Sequence, residues 1–267
     1  MIISASRRTD IPAFHARAFM ENVRRGFCDV ANPFNPAQIS RISLLPEDVD
    51  CFVFWTRDPR PLMPFLSELD DRGYFYYFLF TVTGYPRYIE PAAPARNDAV
   101  DAFAELSRCI GKEKLIWRYD PVLYADGVDR GWHCDNCTYL FEQLSDYTEK
   151  VVFSIIEPYR KVISRMNDCA HIDMYNKSAY LPLLEFLCEL SLKHNLKIAA
   201  CAQGDEINLT QIEKNACIDA ELIARITAGS IKYRKDTGQR QECRCAASRD
   251  IGRYGTCAFG CRYCYAC

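Results

Sequence analysis

The chain ends in YGTCAFGCRYCYAC, where Cys257, Cys261, Cys264 and Cys267 are spaced by three, two and two residues. These thiols are too crowded to pair sensibly with one another as disulfides, and metal is the better explanation for them. Three thiolates at C-x3-C-x2-C can wrap a loop round a 4Fe-4S cluster, holding three irons and leaving the fourth open. An open iron is what S-adenosylmethionine needs. Its amino and carboxylate groups chelate that iron, and an electron from the cluster cleaves the sulfonium bond to give a 5′-deoxyadenosyl radical. Tyr263, just before the third cysteine, fits the same loop. The spacing also accommodates a zinc knuckle or a ferredoxin-like centre, with Cys267 as fourth ligand and no open iron.

A second group consists of Cys201, Cys217 and the pair Cys243 and Cys245 in ECRC. Brought together, these four make a complete ligand set for an auxiliary iron-sulfur cluster or a structural zinc, unless Cys201 and Cys217 are simply buried. Cys134 and Cys137 in HCDNC have metal spacing but no second pair nearby in sequence. Cys28, Cys51, Cys109, Cys169 and Cys188 stand singly among apolar residues and read as buried small hydrophobes.

The elements that must position these thiols follow from the apolar pattern. A chain of 267 residues, 49% apolar and 13% aromatic, has ample material for a core. Strands are predicted at 2–6, 51–56, 74–83, 115–122, 151–156 and 197–202, and helices at 13–26, 61–73, 97–111, 132–147, 181–195 and 217–229. About six βα units predict an α/β fold, a partial TIM-like (βα)6 barrel over residues 1–231. A cysteine-rich tail, 232–267, then folds over the barrel mouth. Chemistry in such folds sits at the carboxyl ends of the strands. Those ends carry Arg7, Arg8 and Asp10, Arg57, Thr81 and Thr83, Arg118 to Asp120, Glu157 and Cys201. Arg7, Arg8 and Asp10 suit an anionic substrate or a salt-bridged cap, and strand alternation allows at most one of the two arginines to reach the mouth. Asn32 and Asn35 in NPFNP read as turn residues.

A formal charge of −2 gives no global basic footprint, which disfavours nucleic acid as a partner. The opening MIISASRRTD lacks the apolar stretch of a signal peptide and no later segment reaches membrane-spanning length, so the chain reads as cytoplasmic.

CAFGCRYCYA, residues 257–266, resembles the cluster loop of radical S-adenosylmethionine enzymes, especially the spore photoproduct lyase-like branch, whose loops read C-x-H-G-C-x-Y-C-Y-A. Phe259 stands where that branch has His. FWTRDP (54–59) is similar to its STKNP strand end, with Arg57 in the lysine's place, and TVTGYPRYIEPAAP (81–94) is similar to its segment ending in EP-x-AP. In those enzymes the cluster loop follows the first strand, whereas here SRRTDIPAF takes that place and the cysteines come last. SRRTDIPAF, NPFNP, VDCFVFWT, WRYDP and the terminal cysteines, in this order, resemble the domain of unknown function 1848 family over essentially the whole chain.

The resemblance implies a 4Fe-4S cluster on Cys257, Cys261 and Cys264, and S-adenosylmethionine held by Thr81, Thr83 and Glu90 through its amino group or ribose. Arg118 would take the carboxylate, unless it forms an internal ion pair with Asp120. It further implies a small-molecule substrate near Arg7, Arg8, Asp10 and Arg57, hydrogen donation from Tyr119 or Cys267, with Tyr254 as a further candidate, and a reductant such as flavodoxin or ferredoxin. Without metal, the last ~25 residues are expected to be disordered, because binding free energy supplies their folding free energy.

Overall fold

The computed structural model describes residues 1–167, 176–204, 207, 209–229 and 233–266. The chain enters through β1 (Ile2–Ala5), then a short α1 (Ile11–Phe14) capped by Asp10, and α2 (Ala16–Arg25), which ends at Gly26 with φ +81°. That left-handed turn suits glycine, which has no Cβ to clash. A hairpin follows, β2 (Phe27–Asn32) and β3 (Asn35–Ser43). The chain continues through β4 (Cys51–Thr56), α3 (Leu66–Asp71), β5 (Tyr76–Thr81), α4 (Arg96–Ile110), β6 (Leu115–Val122), α5 (Arg130–Leu144) and β7 (Lys150–Ile155). It closes with α6 (Arg160–Met166), α7 (Leu181–Lys193), β8 (Lys197–Cys201), β9 (Glu213–Asn215), α8 (Ala220–Thr227) and β10 (Arg249–Asp250).

Eight strands form one sheet in the order β10-β1-β4-β5-β6-β7-β8-β9, and every ladder in it is parallel. Parallel sheets need cover on both faces, which is why β4 reads as an unbroken apolar run. The period of two separates the faces. Phe52, Phe54, Phe78, Phe80, Trp117, Tyr119 and Phe153 pack toward the helices, against Phe19, Leu69, Phe103, Phe141 and Leu184. Val53, Trp55, Tyr77, Leu79, Ile116, Val152 and Ala199 point the other way, toward Ile218, Leu222 and Ile223 around α8 and toward Cys243 to Ala246 of the tail.

The six predicted core strands are β1 and β4 to β8, and the predicted helices at 97–111, 132–147 and 181–195 are α4, α5 and α7. The helix predicted at 13–26 is two helices broken at His15, and the one at 217–229 shortens to α8. The hairpin, α6, β9 and β10 are additions. Cys28, Cys51 and Cys188 are buried as expected, but Cys109 is exposed. It shares the outer stripe of α4 with Asp101, Glu105 and Arg108, where helical periodicity points to solvent. Cys169 lies outside the described residues. Among the described residues, no helix is long and apolar enough to cross a membrane.

Candidate functional site

The same alternation brings Trp55, Thr81, Arg118, Asp120, Ser154 and Cys201 to the carboxyl ends of their strands on the face away from α2 to α7, where they line one cavity of about 390 Å³. Arg7, Arg8, Asp10 and Arg57 line it as well, with Cys257, Cys261, Cys264, Tyr263 and Tyr265 of the tail at one part of the wall. Cys201, Cys217, Cys243 and Cys245 line another part. Crevices at the carboxyl ends of parallel strands are the usual place for ligands in such sheets.

The tail reaches this cavity through β10, which pairs Arg249 with Ile3 and Asp250 with Ser4. The Asp250 carboxylate accepts hydrogen bonds from Ser4 Oγ (2.7 Å), Ser6 Oγ (2.7 Å), Arg7 N (2.9 Å) and Gly252 N (2.9 Å). Beyond it, Thr256 Oγ1 donates to Thr9 Oγ1 at 3.0 Å and His15 Nε2 meets Thr256 O at 3.2 Å. Arg262 N donates to Ile89 O (2.9 Å) and Ala92 N to Phe259 O (3.1 Å). Phe259 packs on Phe14 with ring centroids 4.6 Å apart, so an aromatic is held at that loop position by apolar contact. Within the loop, Ala266 N donates to Cys264 Sγ at 3.4 Å. Burial pushes the Cys261 thiol up to about 12, against the pull of the Arg57 guanidinium.

Arg57 is the hub beneath the cysteine loop. Its Nη2 donates to Glu90 Oε1 at 2.6 Å and to the Tyr263 hydroxyl, and its side chain and that of Glu90 are only 11% and 3% exposed. Tyr263 and Thr83 both donate to the same Glu90 oxygen, Thr83 at 2.7 Å. Burial alone would pull the Arg57 guanidinium down, but Glu90, Tyr263 and Cys261 outweigh it and hold the charge firmly. Thr83 and Glu90 are therefore brought to the tail loop, yet spent on this network, whereas Thr81 faces the cavity.

Arg118 pairs with Asp120, whose other oxygen accepts from Ser154 Oγ, so it makes the internal ion pair at the cavity edge while its Nε is left without a partner. Asp10 is the α1 cap and ties three segments together. It accepts from Ala13 N (3.0 Å), Thr56 Oγ1 (2.8 Å) and Arg57 N (2.7 Å), while burial pushes its carboxyl up to about 7. Arg7 and Arg8 both line the cavity, against the expectation of one, because β1 stops at Ala5 and strand alternation no longer governs them. Arg7 lies over Trp55 and 3.6 Å from Asp236, and Arg8 lies over Tyr254 and 3.7 Å from Asp250. Tyr119 sits in the helix-side core, its hydroxyl 2.6 Å from His133 Nδ1, and is not among the cavity-lining residues. Cys267 lies outside the described residues. Cys137 is buried beside Tyr119, with Cys134 half-buried one turn earlier on α5.

In the second thiol group, Cys201 Sγ and Cys217 Sγ are 3.3 Å apart. Hydrogen bonds from Cys217 and Cys243 hold Cys245 well below the ordinary thiol range, and Cys217 and Cys243 are raised in turn. The Cys217 hydrogen bond also lowers Cys201 to about 7. Among the described residues, no three His, Cys, Asp or Glu side chains already stand in ligating geometry. Sequence reasoning missed Asp250 and Ser154. Asp250 lies in a polar tail with no apolar period, and Ser154 is one polar residue within an apolar strand.

A parallel α/β sheet with one cavity at its strand ends, walled by two cysteine groups and several half-buried arginines, defines a thiol-rich α/β protein with a strand-end site. The chain matches the family model described as Domain of unknown function (DUF1848) over residues 2–266, and it belongs to that family. No curated protein and no solved structure matches it.

Proposed function

We propose that this protein is a radical S-adenosylmethionine enzyme acting on a small molecule, with a 4Fe-4S cluster on Cys257, Cys261 and Cys264. The observation that carries this reading is the placement of those three cysteines on the wall of the strand-end cavity, with the Ala266 N–H donating to the Cys264 sulfur at 3.4 Å. Hydrogen bonds to cluster sulfurs are a usual means of tuning such centres, and three soft thiols form a fitting donor set. The bound cluster would supply one-electron cleavage of the sulfonium bond. On this reading the sheet is a partial TIM-like (βα)6 barrel, residues 1–231, with 232–267 as its cluster-bearing tail. Thr81 and Arg118 are then the residues placed to meet the cofactor, and Arg7 and Arg8 the residues placed to meet an anionic part of the substrate. The reductant would be flavodoxin or ferredoxin in the cytoplasm.

A second reading is a non-catalytic iron-sulfur or zinc protein in which Cys267 completes the tail centre. It is favoured by one observation: Thr83 and Glu90 are already engaged by Arg57 and Tyr263. Iron, acid-labile sulfide and EPR on anaerobically purified protein, with and without S-adenosylmethionine, separate the two. An EPR signal that changes on adding S-adenosylmethionine, survives Cys267→Ala and accompanies 5′-deoxyadenosine release under strong reductant supports the enzyme. A signal blind to S-adenosylmethionine and lost in Cys267→Ala supports the carrier.

A further inference from the structure

The reading above uses only the tail triad and leaves Cys201, Cys217, Cys243 and Cys245 without a task. We propose that these four form a second metal centre, a four-thiolate site for Zn²⁺ or an iron-sulfur cluster, with Arg7 and Arg118 as its counter-charges. The four come from separate places: the end of β8, the segment after β9, and the tail loop before β10. Each place is anchored: Cys201 pairs with Asn215 in the β8–β9 ladder, Tyr77 Oη donates to Cys217 O at 2.6 Å, Ala246 N to Ile218 O at 2.9 Å, and Asp236 N to Cys245 O at 2.9 Å. The sulfurs have donors of the kind that support thiolates: Asn215 Nδ2 lies 3.4 Å from Cys217 Sγ, and Ile218 N lies 3.3 Å from Cys245 Sγ. The 3.3 Å between Cys201 and Cys217 sulfurs is near the ~3.8 Å edge of a tetrahedron with zinc-sulfur bonds of about 2.3 Å. Side-chain rotation would complete the ligand shell, since among the described residues the four sulfurs do not yet stand in ligating geometry.

Charge supplies a second, independent argument. Four thiolates around a divalent metal leave a net charge of about −2 at a largely buried site, which needs nearby positive charge. Arg7 acts electrostatically on Cys245, Cys217 and Cys243, and Arg118 acts on Cys201 and Cys217. Each of these arginines also holds a buried nitrogen with no hydrogen-bond partner, Arg7 Nη2 and Arg118 Nε. Each arginine also meets a carboxylate, Arg7 that of Asp236 and Arg118 that of Asp120, so its charge is shared between that carboxylate and the thiol group.

The test uses the full chain with Cys257, Cys261 and Cys264 all replaced by Ala, so that the first centre is absent. Metal content is measured after Zn²⁺ loading, or after anaerobic reconstitution with iron and sulfide, followed by chelator dialysis. Retention of about one zinc, or the iron and sulfide of one cluster, per chain is expected, and which one is retained identifies the occupant. Loading with Co²⁺ should give intense thiolate-to-cobalt charge-transfer bands, which adding C217S and C245S abolishes. Arg7→Gln should weaken metal retention roughly 10–100-fold with the thiol count unchanged. A parent chain whose total metal content is unchanged by C217S with C245S overturns the proposal, as does a triple variant whose tail resists proteolysis like the parent's yet shows no cobalt-thiolate band, or a Cys201 to Cys217 disulfide in freshly purified protein. Unchanged metal retention in Arg7→Gln overturns the counter-charge. None of these outcomes bears on S-adenosylmethionine binding, so failure here is distinct from failure of the proposed activity.

Discussion

Replacing Glu90 by Gln should be among the most destabilising polar substitutions in this protein, and the cost should largely vanish when Arg57 is removed too. Glu90 Oε1 accepts from Arg57, Thr83 and Tyr263, and a Gln carbonyl can keep accepting from all three. The change therefore removes charge more than hydrogen bonds, leaving a nearly buried guanidinium uncompensated. Breaking one side of such a pair costs about 3–5 kcal/mol, whereas removing both partners is far milder. Arg57→Met alone should cost a similar amount, because the Glu90 carboxylate is then stranded at 3% exposure. The double variant should therefore fall short of the sum of the singles by about 3–5 kcal/mol, because each single already counts the loss of the same pair. Equilibrium urea denaturation of parent, singles and double at pH 7.5, followed by both circular dichroism and tryptophan fluorescence, measures this. Additivity to within about 0.5 kcal/mol, or a Glu90→Gln variant as stable as the parent, would refute the reasoning.

Two further outcomes follow from the described geometry. His133 is fully buried, donating from Nε2 to Leu123 O at 2.8 Å and accepting from Tyr119 at Nδ1, and burial lowers its pKa from 6.5 to about 4. The unfolded imidazole thus takes up a proton below pH 6.5 while the folded one does not, so His133 contributes a fall of about 3 kcal/mol from pH 6.5 toward pH 4, opposed by Asp10, whose folded carboxyl takes up its proton near 7. His133→Gln should lack that contribution, so its stability should rise relative to the parent's as pH falls from 6.5 to 4, and an identical denaturation-midpoint slope in both proteins would count against it. At Gly252, an added Cβ would overlap Ser6 Oγ and lie 2.5 Å from Ser6 Cβ, in a corner where Ser6 Oγ is fixed by Asp250. Gly252→Ala should cost about 1–3 kcal/mol and release β10, read as faster proteolysis within residues 233–266, and parent-like cleavage rates would refute it.

Much of the sheet was legible because β4 to β8 are apolar runs buried on both faces, a signal that composition alone carries. The β2–β3 hairpin was not, since β3 is exposed along most of its length and has no buried face to impress a period of two on the sequence. Its turn was legible: Asn32 Oδ1 accepts from Phe34 N at 2.9 Å, the local hydrogen bond that makes Asn a turn former. β10 is two residues long and owes its existence to β1 and the Asp250 hydrogen bonds, which no window of sequence reveals. The cysteine groups were legible as spacing. Their neighbours were not, because joining Arg57 to Glu90 and Tyr263 depends on β4 to β5 register and on where the tail docks.

The order of the cysteines in the chain becomes intelligible from the path of the tail. After α8 the chain must cross the sheet face away from α2 to α7 to reach the free edge of β1, because β9 occupies the opposite edge. That crossing brings Cys243 and Cys245 past Cys201 and Cys217, pinned by the Ala246 to Ile218 and Ala247 to Arg234 backbone bonds. The chain then enters β10, parallel to β1, and leaves it at the same end of the sheet as every other strand in that sheet. In spatial order β10 is the first strand, and the loop carrying Cys257, Cys261 and Cys264 is the loop that follows it. A metal-binding loop depends on where its ligands stand and not on when the chain makes them, so on the proposed reading a strand that comes late in the chain but pairs at the β1 edge does the work of an early one. The same crossing walls the cavity with both thiol groups: the Ala246 to Ile218 bond holds one beside Cys217, and the β10 to β1 pairing brings the other to the strand ends.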